Sequence, residues 1–194
     1  MNNKSFRALD VVFNTQYDSI YNFYNIASVL CVSKLYNIPV DVVGKVIQEY
    51  KLNNGRMESV CINGCNTVMN LAKNPTGANV SLNYMNQDDS HKDLLFVLND
   101  KIADGKDVSW IWDINFDILN NVDRVITSGL RAYDMAVRIK NSGYDVSKIY
   151  CCPNISEAVD LLYETSNSKY VIFNYTAVND TRNKIILYGK GDIK

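Results

Sequence analysis

The sequence predicts an α/β fold: a Rossmann-like, doubly wound, mostly parallel sheet with a short helical N-terminal appendage. Three observations lead there. Leu94-Leu95-Phe96-Val97-Leu98 is a continuous apolar run, the pattern of a parallel strand covered on both faces. Strand-like and helix-like segments alternate from about residue 59 onward, as right-handed βαβ crossovers require. Ahead of them lies a region that is helical in period and carries no such alternation.

Residues 1–18 are polar and Asn-rich, with a strand-like segment at Leu9-Asp10-Val11-Val12-Phe13. From Ser19 to Tyr36, Ile20, Phe23, Ala27, Leu30, Cys31 and Leu35 recur at helical intervals. Pro39 ends that helix. Asp41 is then placed to cap a second one, in which Val43, Val46, Ile47 and Tyr50 share a face. Lys51-Leu52-Asn53-Asn54-Gly55-Arg56 reads as a linker, with Gly55 free to take a positive φ. The domains expected are therefore 1–55 and 56–194. In the second, strands are expected at Ser59–Ile62, Thr67–Leu71, Leu94–Leu98, Arg124–Thr127, Lys148–Cys151 and Tyr170–Asn174. Helices are expected at Gly77–Met85, Leu130–Asn141 with its Gly143 stop, Ser156–Thr165 and Asp180–Leu187.

Composition narrows the chemistry. A net charge of −1 over 194 residues argues against nucleic acid held on a broad basic surface. A single histidine, His91, leaves no histidine pair for zinc and no self-contained Ser-His-Asp or Cys-His machine. The five cysteines (Cys31, Cys61, Cys65, Cys151, Cys152) are irregularly spaced and read as reduced thiols, so no metal site is expected. No apolar run approaches the roughly 18 residues of a membrane span, and the expectation is a cytoplasmic protein. There is no Gly-x-x-x-x-Gly-Lys-Ser/Thr and no Gly-x-Gly-x-x-Gly. If the chain handles ATP, it supplies only part of the site.

Chemistry concentrates in Leu98 to Asp113, which holds Asp100, Asp104, Asp107, Asp113 and both tryptophans, Trp110 and Trp112. Such a cluster directly after an apolar strand suits a site at the strand's carboxyl end. One of its aspartates either orients a base, binds a cation or accepts from a substrate donor, or else the group is an Asx-turn and a helix cap. If Asp107–Asp113 forms a helical turn, some carboxylates share a face. Trp110-Ile111-Trp112 points to a contact surface, because alternating side chains in a loop are hard to bury together. Elsewhere, Asn22 and Asn25 at a helix start present two amides, or simply cap it. Arg56 beside the linker glycine is a phosphate contact or a solvated surface group. Asn70-Leu71-Ala72-Lys73-Asn74-Pro75-Thr76-Gly77 is a strand-to-helix turn whose helix N-terminus favours an anion.

In this order the pieces resemble the Mur ligase family, in the MurT form found in lipid II isoglutaminyl synthases. Tyr21-Asn22-Phe23-Tyr24-Asn25-Ile26-Ala27 is similar to the Asn-x-x-Asn helix closing the family's central ATPase domain. Asn54-Gly55-Arg56-Met57-Glu58 looks like the linker into its C-terminal domain. Asn70 through Gly77 matches a loop that other Mur ligases build as Asp-Tyr-Ala-His. Leu98-Asn99-Asp100 and Asp104-Gly105-Lys106-Asp107-x-Ser109-Trp110-Ile111-Trp112-Asp113 form the most specific stretch. Thr127-x-Gly129-x-Arg131-Ala132 and Asn174-Tyr175-Thr176 also fit.

The resemblance implies an ATP- and Mg-dependent ligase subunit that phosphorylates the α-carboxylate of the stem-peptide D-glutamate in lipid II. A GatD-type glutaminase partner supplies ammonia through its own Cys-His pair, giving D-isoglutamine. By the same resemblance Asp107 completes the partner's triad, and Asp104, Trp110, Trp112 and Asp113 support it or face the partner. Asn22, Asn25, Arg56, Asn70, Lys73 and Asn74 would border the nucleotide. The family's lipid-substrate domain, the ATP-gripping loop and the zinc ribbon of many MurT proteins have no counterpart here, and Ser19-Ile20 replaces the glycine usual before the Asn-x-x-Asn helix. No tight ATP binding is therefore expected of this chain alone.

Overall fold

The computed structural model describes residues 4–8, 11–15, 20–50 and 55–190. The chain separates into two compact units, Met1–Leu52 and Asn53–Lys194. In the first, β1 (Lys4–Ala8) and β2 (Val11–Thr15) form an antiparallel pair, followed by α1 (Ile20–Leu35) and α2 (Val40–Glu49). Phe13, Leu30, Val43 and Ile47 bury together. The strand expected over 9–13 is thus two strands in register, and Leu9 and Asp10 lie outside the described residues. Asp41 is not the cap of α2. Pro39 holds that position with φ −57° and no side-chain bond, and Asp41 sits inside the first turn, where its charge still complements the helix dipole.

The second unit is one sheet with helices on both faces. Its elements are β3 (Glu58–Ile62), β4 (Cys65–Leu71), α3 (Pro75–Met85), β5 (Lys92–Val97), β6 (Val122–Ser128), α4 (Ala132–Lys140), β7 (Ile149–Cys151), α5 (Ile155–Leu162), β8 (Ser168–Phe173) and α6 (Val178–Gly189). Among the described residues the sheet order is β3-β4-β8-β5-β6-β7, parallel throughout except β3 against β4. Each expected strand and helix of this unit is present, with ends shifted by up to three residues. Two local signals explain most shifts. Asn74 accepts from Gly77 N at 2.8 Å and Pro75 follows as the first helical residue, so α3 starts two residues early. Asn154 likewise caps α5, ahead of Ser156. The β3–β4 connection is a hairpin, not a crossover: Asn63 (φ 49°) and Gly64 (φ 83°) form the two left-handed positions of a tight turn.

Alternation along the central strands divides the core in two. Leu94, Phe96 and Leu98 pack with α3, α4 and the short turns after β5, whereas Leu95 and Val97 pack with α5 and α6. Gly55, a residue of the expected linker, is buried and takes φ +70°. A Cβ there would stand 2.5 Å from the Phe173 ring, so the close approach admits only glycine.

At the foot of the sheet the central strands carry a buried charge pair. Lys169 Nζ on β8 lies 2.8 Å from Asp93 Oδ2 on β5, and both side chains are fully buried. Arg124 Nη2 from β6 reaches the same oxygen at 3.0 Å, while Thr165 and Asn167 donate to the carboxylate as well. Burial alone would raise the Asp93 pKa. The donors from Arg124, Lys169, Thr165 and Asn167 outweigh it and hold the group below its ordinary value.

Two outcomes are expected. Asp93→Ala strands a buried lysine and should lower stability by about 3–5 kcal/mol in urea melts, with Asp93→Ala/Lys169→Met recovering part of it. Because the folded-state pKa lies below the unfolded value of about 3.9, the stabilisation is complete above that value and is lost as pH falls through the folded one. Melts of the wild type from pH 7 to pH 3 should show this acid loss, and Asp93→Asn should blunt it.

Candidate functional site

The carboxyl ends of β5, β6 and β8 run into loops that side chains tie together. Asn174 Oδ1 accepts from Asn99 N at 3.1 Å, and Asn174 Nδ2 donates to Asn99 O at 2.7 Å, so one amide pairs with backbone as a strand residue would. The amide of Asn99 reaches further: Oδ1 accepts from Leu130 N at 3.1 Å and Nδ2 donates to Thr176 Oγ1 at 3.2 Å. Both asparagines are buried, where an unmatched polar group costs about 1–3 kcal/mol. Gly129 (φ +86°) is required at this junction, since a Cβ there would stand 2.6 Å from Leu98 O.

Against this frame the four aspartates of the cluster separate. Asp100 is paired with Arg131, Nη2 at 2.9 Å and Nε at 3.0 Å. Asp104 accepts from Thr176 N at 2.9 Å through Oδ1, and from the Thr176 hydroxyl through Oδ2. Asp107 is exposed, and its Oδ1 accepts from Ser109 N at 2.8 Å in an Asx-turn. That backbone bond, followed by one from the Ser109 hydroxyl, holds its pKa below the usual aspartate value. Asp113 is exposed at the end of the turn Ser109–Asp113. Neither Asp107 nor Asp113 forms an ion pair among the described residues. The 3-10 turn opens at Ser109, after Asp107, so the two do not share a helical face.

The same turn corrects the expectation of two exposed tryptophans. Ile111 is buried, Trp110 is half-buried against the core and Trp112 alone is exposed. Arg138 of α4 underlies this segment. Its guanidinium lies 5.7 Å from the Trp112 ring centre and 5.4 Å from that of Phe116, and it donates to Ile111 O and Ile114 O. Around the loops, Ile102, Leu130, Tyr133 and Tyr175 are exposed large side chains. Beside Leu130 and Tyr133 opens a cleft of 440 Å³, lined also by Asn99, Lys101, Asn154 and Ser156 among others.

The remaining sequence candidates fall apart by unit. Asn22 is buried and Asn25 exposed on α1. In the second unit Arg56 and Lys73 are exposed. Asn70 is turned inward, its Oδ1 accepting from Met57 N at 3.1 Å and its Nδ2 donating to Ser81 Oγ at 2.6 Å. The Asn74 side chain is spent on the α3 cap. The five cysteines are free thiols, and no helix of the described residues is long and apolar enough to cross a membrane. The structuring roles of Thr176 and Arg138 were not visible in the sequence. Each acts on a loop far along the chain, and neither falls in a periodic pattern.

Residues 71–178 match the family model described as MurT ligase C-terminal. The chain is 30% identical over 160 residues to the lipid II isoglutaminyl synthase (glutamine-hydrolyzing) subunit MurT of Staphylococcus aureus (strain COL), covering 81% of this chain and 36% of that protein. It is 26% identical over 186 residues to the Streptococcus pneumoniae subunit of the same name, covering 93% and 41%. Less than half the length of these relatives is therefore spanned. Among solved structures, MurF from Acinetobacter baumannii superposes with a TM-score of 0.70 at 13% identity, covering 93% of this chain and 40% of that one. A Mycobacterium tuberculosis folylpolyglutamate synthase complexed with ADP and AMPPCP superposes at 0.65 and 15%, covering 92% and 43%. With its matched region exceeding half the chain, and with this fold, the chain belongs to the MurT ligase C-terminal family.

Proposed function

We propose that this chain is the C-terminal part of the ligase subunit of a glutamine-dependent lipid II isoglutaminyl synthase, that it docks a GatD-type glutaminase, and that Asp107 serves the glutaminase reaction. The observation that carries the proposal is the division among the aspartates. Asp100 and Asp104 are consumed by Arg131 and Thr176, while Asp107 is held out to solvent, ionised, in a fixed turn. Such a carboxylate can accept the N–H of an imidazole on a second polypeptide. It then holds the tautomer that lets the other ring nitrogen take a thiol proton, and it stabilises the imidazolium that forms. This accounts for a catalytic aspartate in a chain whose single histidine, His91, lies at the other end of the sheet, beside Asp123. The exposed Ile102, Trp112, Leu130, Tyr133 and Tyr175 supply an apolar rim suited to docking.

The whole enzyme would use ATP with Mg to activate the α-carboxylate of the stem-peptide D-glutamate, ammonia from the partner then giving D-isoglutamine. Support for a nucleotide comes from the ligands named for the folylpolyglutamate synthase structure. Here Arg56 and Lys73 are exposed cations of the second unit that fit a border to its phosphates. Asn25, exposed on α1 of the first unit, is a nucleotide candidate on the resemblance alone. Asn70 and Asn74 would act only by holding backbone, and Asn22 by its place in α1. No glycine-rich loop in this chain grips a triphosphate.

Two measurements test the proposal. In the complex with a glutaminase, Asp107→Asn should lower glutamine turnover by about 10²–10⁴-fold with co-elution unchanged. Unaltered turnover, with association weakened by Trp112→Ala, would leave a docking module that does no chemistry. Titrating this chain alone with ATP should give at best millimolar binding, and micromolar binding would overturn the assignment of the phosphate grip to other parts of the enzyme.

A further inference from the structure

We infer that Asp104 and Thr176 form a latch that positions Asp107, an inference that rests on the catalytic role proposed for Asp107. The loop leaves β5 at Leu98 and turns back on itself at Lys101–Gly105, where Asp104 N donates to Lys101 O at 2.9 Å. Gly105 reverses the chain with φ +84° and has no atom within 4 Å of where a Cβ would stand, so packing does not fix this bend. On one side of Asp107 the chain is anchored where both Asp104 oxygens take donors from Thr176. On the other it is anchored by the Ser109–Asp113 turn, which Arg138 holds through Ile111 O and Ile114 O. Between the anchors only Gly105, Lys106, Asp107 and Val108 remain, and the first three are exposed.

The Asx-turn ties the Asp107 carboxylate to Ser109, but the exposed Gly105 and Lys106 leave the approach to that turn unheld. The latch holds it by reference to the sheet. Thr176 Oγ1 accepts from Asn99 Nδ2 at 3.2 Å while giving its proton to Asp104, so the loop is tied to the ends of β5 and β8 at once. A displacement near 1 Å of a group acting on a partner's imidazole costs on the order of 10²-fold in rate. Asp104 is thus a positioning residue and touches no reacting atom. Asparagine at 104 keeps the Thr176 backbone bond, but it gives up the charge of the acceptor and can hold Oγ1 only by donating to an oxygen that already accepts from Asn99, so the latch is weakened.

The test compares Asp104→Asn, Thr176→Val and Thr176→Ser with Asp107→Asn. In this chain alone, amide exchange at Gly105 and Ser109, whose N–H groups donate to Ile102 O and Asp107 Oδ1, should speed up at least 10-fold in Asp104→Asn and Thr176→Val and stay near wild type in Thr176→Ser, which keeps the hydroxyl. In the glutaminase complex the first two should lower kcat about 10-fold or more with KM and co-elution unchanged, and Thr176→Ser should restore it. In Asp104→Asn/Asp107→Asn the loss should not exceed that of Asp107→Asn. Unchanged exchange at Gly105 and Ser109 overturns the latch, whatever the turnover. If Asp107→Asn abolishes turnover while Asp104→Asn leaves it intact, the latch fails and the role of Asp107 stands. If Asp107→Asn is silent, that role fails and the positioning of Asp107 falls with it.

Discussion

The last strand of the sheet has to enter between two strands already laid down, and the rest of the second unit depends on that insertion. β8 slots between β4 and β5, and polar side chains bind it to β5 at both ends. At the foot Lys169 meets Asp93 inside the core, and at the head Asn174 meets the backbone of Asn99. Apolar packing gives the strand a reason to be buried but sets its register only to within a two-residue slip. The charge pair and the amide pair remove that freedom, because any slip leaves a buried lysine, carboxylate or amide without its partner. The register in turn delivers Thr176, just past β8, to the loop that leaves β5.

Much of this architecture was legible in the sequence because its signals are local. Continuous apolar runs marked β5 and β8, helical spacing marked α1 and α4, and the positive φ of Gly55 follows from its place after Asn53-Asn54. What escaped was either chemistry outside periodicity or contact at long range. Asn63-Gly64 is a hairpin signal by residue type alone, which a reading built on crossovers passes over. The apolar run that marks β5 begins only at Leu94, and Lys92 and Asp93 are of residue types that mostly lie at the surface. They are buried, and the partner that makes burial of Asp93 tolerable, Lys169, lies 76 positions away.

The site divides in the same way. In the sequence, the site proposed at Leu98–Asp113 rests on its density of aspartates and tryptophans. How its carboxylates are partnered is not visible there. Asp100, Asp104 and Asp107 are equivalent on paper and are sorted only by Arg131 and Thr176, which the fold brings from 31 and 72 positions away. The tryptophans illustrate the opposite error. Alternating side chains in a loop point to exposure of both, but the segment winds as a 3-10 turn, so Trp110 is half-buried against the core and Trp112 stays outside over Arg138.

β7 is three residues long and closes one margin of the sheet, with Tyr150 on it lying over the Arg124 guanidinium at 5.8 Å. So brief a border offers too few free backbone groups to template an added strand, and an arginine beneath its aromatic discourages stacking of another sheet. Growth into fibrils along that side is thereby starved of a seed. The chain can then stand at high concentration without polymerising through its own flank.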